Sequence, residues 1–249
     1  MALAPVVYWR LGESAGTTAE DETANNIDGT YSNVVLAATG CITGDANTSV
    51  KFEDHNDAKC DVALVSGLPT GVSDDWTIMF WHRTRTVVEA SHYFGFGATP
   101  TDAGAATGTR RGVILFNDHY YFWGESADWD TGYTFDRFEA GTQPGDFIVF
   151  TCDGTNLRLY RNGILVAGPQ AIPYAAVALT TVTAGSHLSI GTSPNADIDE
   201  CAIFDFALSA GQVDSLYASG RQLGEQAAGS GGIISGIVPE GRAVRMTLY

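Results

Sequence analysis

Short apolar runs broken by turn residues fill the chain from residue 5 to about 205. Val6, Val7, Tyr8, Trp9 and Leu11 form one run, and residues 49–52 form another. Residues 76–83, WTIMFWHR, alternate over eight positions with apolar groups on both faces, the pattern of a strand inside a two-sheet sandwich. Residues 93–96 and 113–116 follow, and Asn117-Asp118-His119 turns the chain into 120–123. The stretch FTCDGTNLRLYRNGILVAG, 150–168, holds Asp153-Gly154 and Asn162-Gly163, two tight turns between apolar runs. Such pairs tolerate the positive φ angles of hairpin loops. The pattern predicts an antiparallel meander of strands at 147–152, 157–161 and 164–167, with a four-residue first loop, 153–156, and a two-residue second one. Further strands are predicted at 187–191 and 198–204.

One helical pattern stands out. In LSAGQVDSLYASG, Ser209 is a candidate N-cap, Val213, Leu216 and Tyr217 recur at helical spacing, and Gly220 occupies a C′ position. Composition then changes. Residues 223–232 form a Gly/Ser-rich linker between a folded unit, 1–222, and a tail, 233–249, that alternates like a hairpin around Pro239-Glu240-Gly241. Two strands alone are marginal in water, so the tail is expected to pair with its own domain, another subunit or a larger partner.

Composition narrows the function classes. The net charge is −16 and the only lysines are Lys51 and Lys59, which argues against nucleic acid and against an anionic membrane surface. The cysteines Cys41, Cys60, Cys152 and Cys201 lack CxxC spacing, so buried thiols are expected, with one or two disulfides as the alternative. The segment MALAPVVYWRLGES has neither a basic n-region nor a long apolar stretch, so no signal peptide is expected.

Ordered from the N-terminus, YWRLGESAGTTAEDETANNIDGTY, SVKFEDHNDAKCDV, DDWTIMFWHR, FIVFTCDGTNLRLYRNGILVAG and LSIGTSPNADIDECAIFDFALSAGQVDSLY resemble the laminin-G-like, concanavalin A-like family over residues 5–218. The resemblance implies an all-β jelly-roll sandwich of two antiparallel sheets with one short C-terminal helix. Relatives often hold calcium where an early acidic loop meets a late IDE strand, which maps a structural Ca2+ onto Asp21, Asp28 and Asp199. The chain reads DETANNIDG without the loop's usual first glycine, and loop-tip acids in Asx turns are the alternative. The tail, ISGIVPEGRAVRMTLY, is similar to the start of small β modules in tail and fibre proteins of bacteriophages. That likeness implies a virion surface component, made in the host cytoplasm and released by lysis, attached through the tail to virion proteins or to its own subunits as a homo-oligomer.

Two chemistries are candidates. Residues 120–138, YYFWGESADWDTGYTFDRF, set aromatics beside acids, the pairing that stacks on sugar rings and bonds their hydroxyls; Trp123, Trp129 and Tyr133 are the candidate glycan contacts, with core packing as the alternative. Glucanase relatives carry their acids at alternating positions of one central strand. The nearest match is Asp197-Ile198-Asp199-Glu200-Cys201, whose fifth position is a cysteine. The histidines His55, His82, His92, His119 and His187 are scattered, without a nucleophile elbow or metal spacing. A non-enzymatic adhesion module is therefore expected, on a virion surface or as a free calcium-dependent lectin, with a glycoside hydrolase third.

Overall fold

Asn162 and Gly163 both have positive φ, 52° and 83°, the type I′ geometry that their residue types favour. They join β13 (Asn156–Arg161) to β14 (Ile164–Ala171), which follow β12 (Asp146–Asp153). The meander forms in the predicted places. Its first loop is shorter than predicted, because Asp153 Oδ1 accepts bonds from the N–H groups of Thr155 and Asn156 and Asn156 already belongs to β13. The computed structural model describes residues 3–53, 58–86, 91–98, 106–135, 144–177, 180–187 and 194–229, with side chains in the final helix to Arg221. The tail at 233–249, the last linker residues, His55 and most of the strand expected at 187–191 lie outside the described residues.

Two antiparallel sheets make the fold. Sheet A runs β14-β13-β12-β7-β16-β5-β4, with β7 (Asp75–Thr86), β16 (Asn195–Phe204), β5 (Ser49–Phe52) and β4 (Val35–Ala38); β1 (Val7–Trp9) also pairs with β16. Sheet B runs β11-β10-β9-β8-β15-β6-β3-β2, with β11 (Trp129–Thr134), β10 (His119–Trp123), β9 (Arg110–Phe116), β8 (Ser91–Gly97), β15 (Thr181–His187), β6 (Lys59–Val62), β3 (Gly29–Ser32) and β2 (Thr18–Ala19). The fold is the all-β jelly-roll sandwich that the sequence implied. The turn between β9 and β10 is again two left-handed residues, Asn117 and Asp118, at φ 49° and 62°.

The main core lies between the sheets. Trp76, Ile78, Phe80, Ile148, Phe150, Ile198 and Ile203 from sheet A meet Phe94, Phe96, Val113, Phe122, Val182 and Ala184 from sheet B. The alternating strand β7 has a second apolar face, as its sequence predicted. Met79 and Trp81 join Phe147, Val149, Tyr160 and Phe204 on the outer side of sheet A, where Val213 and Leu216 of the helix α1 (Ala210–Gly229) pack. Ser209 and Gln212 close the helix start reciprocally: Gln212 Oε1 accepts the Ser209 N–H at 2.8 Å, and Ser209 Oγ accepts the Gln212 N–H at 3.4 Å.

The helix does not end at Gly220. It continues to Gly229, so residues 223–229 of the expected linker are helical. Gly220 serves a different purpose: a Cβ there would stand 2.7 Å from Cζ2 of Trp81, so the missing side chain lets the helix settle on the indole. No helix among the described residues is long and apolar enough to cross a membrane. All four cysteines are buried free thiols, as expected.

Candidate functional site on the outer face of sheet B

Opposed residues in an antiparallel pair project from the same face. The pairing of sheet B therefore assembles three rows on its outer face, with Arg110, Gly112 and Ile114 of β9 as the spine. The first row is Thr181, Gly97 and Arg110. The second is Asp61, Thr183, Gly95, Gly112 and Trp123. The third is Ser186, His92, Ile114, Tyr121 and Asp130.

Strand β8 reaches this arrangement through a bulge. The register against β9 shifts between His92 and Phe94. The extra residue, Tyr93, turns inward with Phe94, stacks on Phe80 at 6.1 Å and bonds Thr84 Oγ1 at 2.8 Å. His92 is left on the outer face. Gly95, Gly97 and Gly112 make the floor. A Cβ on Gly95 would fall 2.2 Å from the carbonyl oxygen of Arg111, and one on Gly112 would fall 2.8 Å from His92 Nε2.

The floor is rimmed by buried polar groups. His92 is 0%, Thr183 1% and Ser186 5% exposed. Neither ring nitrogen of His92, nor Thr183 Oγ1, nor Ser186 Oγ has a hydrogen-bond partner among the described residues. A buried polar group without a partner costs stability, and native proteins keep few of them. Three on one glycine floor form a set of unmet donors and acceptors. Burial, then the neighbouring Arg110 guanidinium, holds His92 well below the usual imidazole range, so it is neutral at pH 7. A neutral imidazole presents one donor and one acceptor, and each hydroxyl presents both. Trp123 closes one side, with the Arg110 guanidinium 4.1 Å above its ring and the His92 ring edge-on at 5.7 Å. Toward β11 the face becomes accessible. There Tyr121 Oη donates to Asp130 Oδ2 at 2.8 Å, and His119 Nδ1 lies 3.0 Å from Asp130 Oδ1.

The three aromatic candidates separate. Trp123 is on this face but only 6% exposed. Trp129 opposes Phe122, so it faces between the sheets and meets Phe150 edge-on at 6.2 Å. Tyr133 packs at the same edge, with the Arg161 guanidinium 5.8 Å from its ring. For Trp129 the core-packing alternative describes the contacts. His92, Thr183, Ser186 and Tyr121 escaped the sequence reading, because they become neighbours only through the register of four strands.

Asp21, Asp28 and Asp199 are engaged elsewhere. Asp21 Oδ1 accepts the N–H groups of Tyr8 and Thr23, and its Oδ2 accepts Ile27 N–H and Thr23 Oγ1–H, all within 3.1 Å. Asp28 Oδ1 accepts the Asp21 N–H at 2.8 Å. Asp199 Oδ2 accepts the Cys41 N–H at 2.9 Å. Donors point at these oxygens where a cation would need open lone pairs, and among the described residues no three His, Cys, Asp or Glu side chains gather as a metal set. The arrangement does not fit a bound Ca2+; it fits acids that tie loops to strands.

The late acidic strand is also structural. Glu200 has φ 52° at a bulge where the register of β16 against β7 shifts between Asp199 and Ala202. The bulge reverses the alternation, so Cys201 joins the inner core while Asp197 and Asp199 share the outer face with Arg83 and Trp81. Asp197 is held by Arg83 and Arg85 at 2.9 and 2.8 Å. Glu200 takes the Tyr8 hydroxyl, and its Oε1 takes Arg10 Nε at 3.2 Å. Burial raises the Glu200 carboxyl to about 7 and pushes Asp199 well above the carboxylate range. Such shifts often mark catalysis. Here both acids are fully buried and hydrogen-bonded to their neighbours, which accounts for the shifts without a substrate.

Two packed antiparallel sheets with one C-terminal helix define the class of fold, a jelly-roll sandwich. A family model described as the concanavalin A-like lectin/glucanases superfamily matches residues 45–214, more than half of the chain, and the chain belongs to that family. No curated protein matches the sequence. Among solved structures, the sialidase of Trypanosoma rangeli in complex with 2,3-difluorosialic acid aligns with TM-score 0.63 and 13% identity, over 89% of this chain and 33% of that one. The binding domain of Paraclostridial Mosquitocidal Protein 1 aligns with TM-score 0.62 and 14% identity, over 87% of this chain and 52% of that one. The binding domain of botulinum neurotoxin serotype G aligns with TM-score 0.58 and 15% identity, over 86% of this chain and 50% of that one. The chain thus spans a third to a half of the length of these structures, and the likeness is one of fold.

Proposed function

We propose that the chain is a non-enzymatic carbohydrate-binding module whose ligand, a neutral saccharide, sits on the outer face of sheet B. The observation that carries this reading is the convergence of three buried, unpartnered polar side chains, His92, Thr183 and Ser186, on the glycine floor. A sugar hydroxyl donates and accepts at once, as do the hydroxyls of Thr183 and Ser186. Trp123 and Tyr121 supply the aromatic edge and rim. Family membership supports a lectin-like role. The bonded state of Asp197, Asp199 and Glu200 supports binding over hydrolysis. Display on a virion surface, anchored through 233–249, is the context that the likeness of the tail favours, and many copies on one particle would add avidity to weak contacts.

The test is a glycan array probed with the purified chain, repeated with His92→Ala, Thr183→Val and, as an off-site control, Trp129→Phe. Binding that falls at least tenfold in the first two variants and persists in the control supports the reading. A folded chain that binds no glycan, or binding that all three variants retain, overturns it.

A further inference from the structure

A cleft of about 570 Å³ opens between two loops. Its size is that of an ordinary ligand site. One wall is the loop around Asn25, Asn26 and Ile27, and the other is 62–67, which follows β6. Asn25 Nδ2 donates to the Val6 carbonyl at 2.9 Å and Asn26 Nδ2 donates to the Ala24 carbonyl at 3.0 Å, so each amide brings its oxygen and one further N–H to the cleft, beside the Ser66 hydroxyl. Among the described residues, the exposed carboxylate of Asp205 is the one charged group in the lining, and no lysine, arginine or histidine borders the cleft. Val6, Ile27, Val62 and Val65 give apolar wall. Leu64 stands at the lip, 78% exposed and held at φ 58°, a conformation that a leucine rarely adopts.

We infer that this cleft is a docking site for an arginine side chain of a partner polypeptide. An exposed carboxylate beside two amide oxygens, with no cation among the described lining residues, favours a cationic group with several donors. A guanidinium offers five N–H donors in a fixed plane, and its aliphatic stem suits the valine and isoleucine walls. The net charge of −16 draws a basic partner toward the molecule. The exposed Leu64 would cover the stem once the guanidinium is seated. This site lies apart from the outer face of sheet B and uses none of its residues.

The experiment is a titration of the 15N-labelled chain with acetyl-Gly-Arg-Gly-amide, and separately with the same peptide carrying citrulline, which keeps the shape and removes the charge. Saturable shifts confined to the amides of 25–27, 62–67 and Asp205 are expected. Affinity should be at least tenfold weaker for the citrulline peptide, and tenfold weaker for arginine when Asp205→Asn is introduced. Leu64→Ser, at an exposed position that folding tolerates, should weaken binding of both peptides. Equal binding of the two peptides, shifts spread over the surface, or an unchanged affinity in Asp205→Asn would each overturn the inference.

Discussion

The two sheets turn opposite kinds of outer face outward. Sheet A covers its outer side with oil: Trp81, Phe147, Val149 and Phe204 lie under Leu3, Ile42 and helix α1, and Trp81 meets Phe147 at a tilt at 5.1 Å and stacks on Tyr217 at 5.8 Å. Sheet B keeps glycines at the centre of its outer side and buries His92, Thr183 and Ser186 there without hydrogen-bond partners among the described residues. Apolar burial stabilises a fold, at roughly 25 cal/mol per Å². Unpaired polar burial opposes it. Under the proposed function the second face is kept for a ligand, and stability and binding should then separate by face.

The largest effect expected tests that separation. Phe147→Ala removes a fully buried ring from the closed face and should cost about 3–5 kcal/mol in denaturant unfolding. His92→Leu, at an equally buried position, replaces a group that has no partner. It should leave stability within about 1 kcal/mol of the parent or raise it, while abolishing saccharide binding. If His92→Leu costs as much as Phe147→Ala, the polar face is core in disguise and the comparison breaks.

Next in size is a pH effect that contrasts a satisfied buried acid with buried histidines. Glu200 titrates near 7 in the folded chain, so the unfolded chain loses this proton first. Its contribution is fully present below the ordinary glutamate range and is lost as pH rises toward 7. The limit for one proton is ~1.4 kcal/mol per pH unit. His82 is lowered to about 4 by burial, and His92 lies well below its usual range. These contributions run the other way: fully present above the ordinary histidine value and lost as pH falls toward 4. Glu200→Gln should remove the first trend and expose the second, so that the variant loses stability on acidification more steeply than the parent. Parallel pH profiles of parent and variant would show that the Tyr8–Glu200–Arg10 cluster is not coupled to folding.

The features legible in the sequence are those set by near neighbours. Asn162-Gly163 and Asn117-Asp118 announced their hairpins because residue type alone sets positive φ, and the second apolar face of β7 announced a covered sheet. Ser209 announced the helix start. What escaped depends on distant pairing. A bulge at Tyr93 decides that His92 faces out, and a bulge at Glu200 sends Cys201 inward, where strict alternation would have put it beside Asp199. The bulge at Glu200 has no glycine or turn motif to mark it, and Gly185, which lies opposite Tyr93 at φ 69°, marks the other only once β15 is paired with β8. The density of aromatics at 120–138 drew attention to the β10–β11 hairpin, but Trp129 opposes Phe122 and faces between the sheets.

The smallest expected effect concerns two glycines of α1, and it probes how the closed face is fitted. Glycine within a helix costs roughly 0.5–1 kcal/mol relative to alanine, so a glycine with open space around it is a lost opportunity and one against a neighbour is a fitted part. Gly211 has nothing within 4 Å of its missing Cβ, whereas Gly220 lies against the Trp81 ring. Gly211→Ala should therefore stabilise the chain by about 0.5–1 kcal/mol. Gly220→Ala should gain nothing, because the added methyl lifts the helix from the indole that it seals. Paired melting curves decide the matter. Equal stabilisation by both substitutions would mean that α1 lies loosely on sheet A, and the closed face would then owe its burial to Leu3, Cys41 and Ile42 more than to the helix.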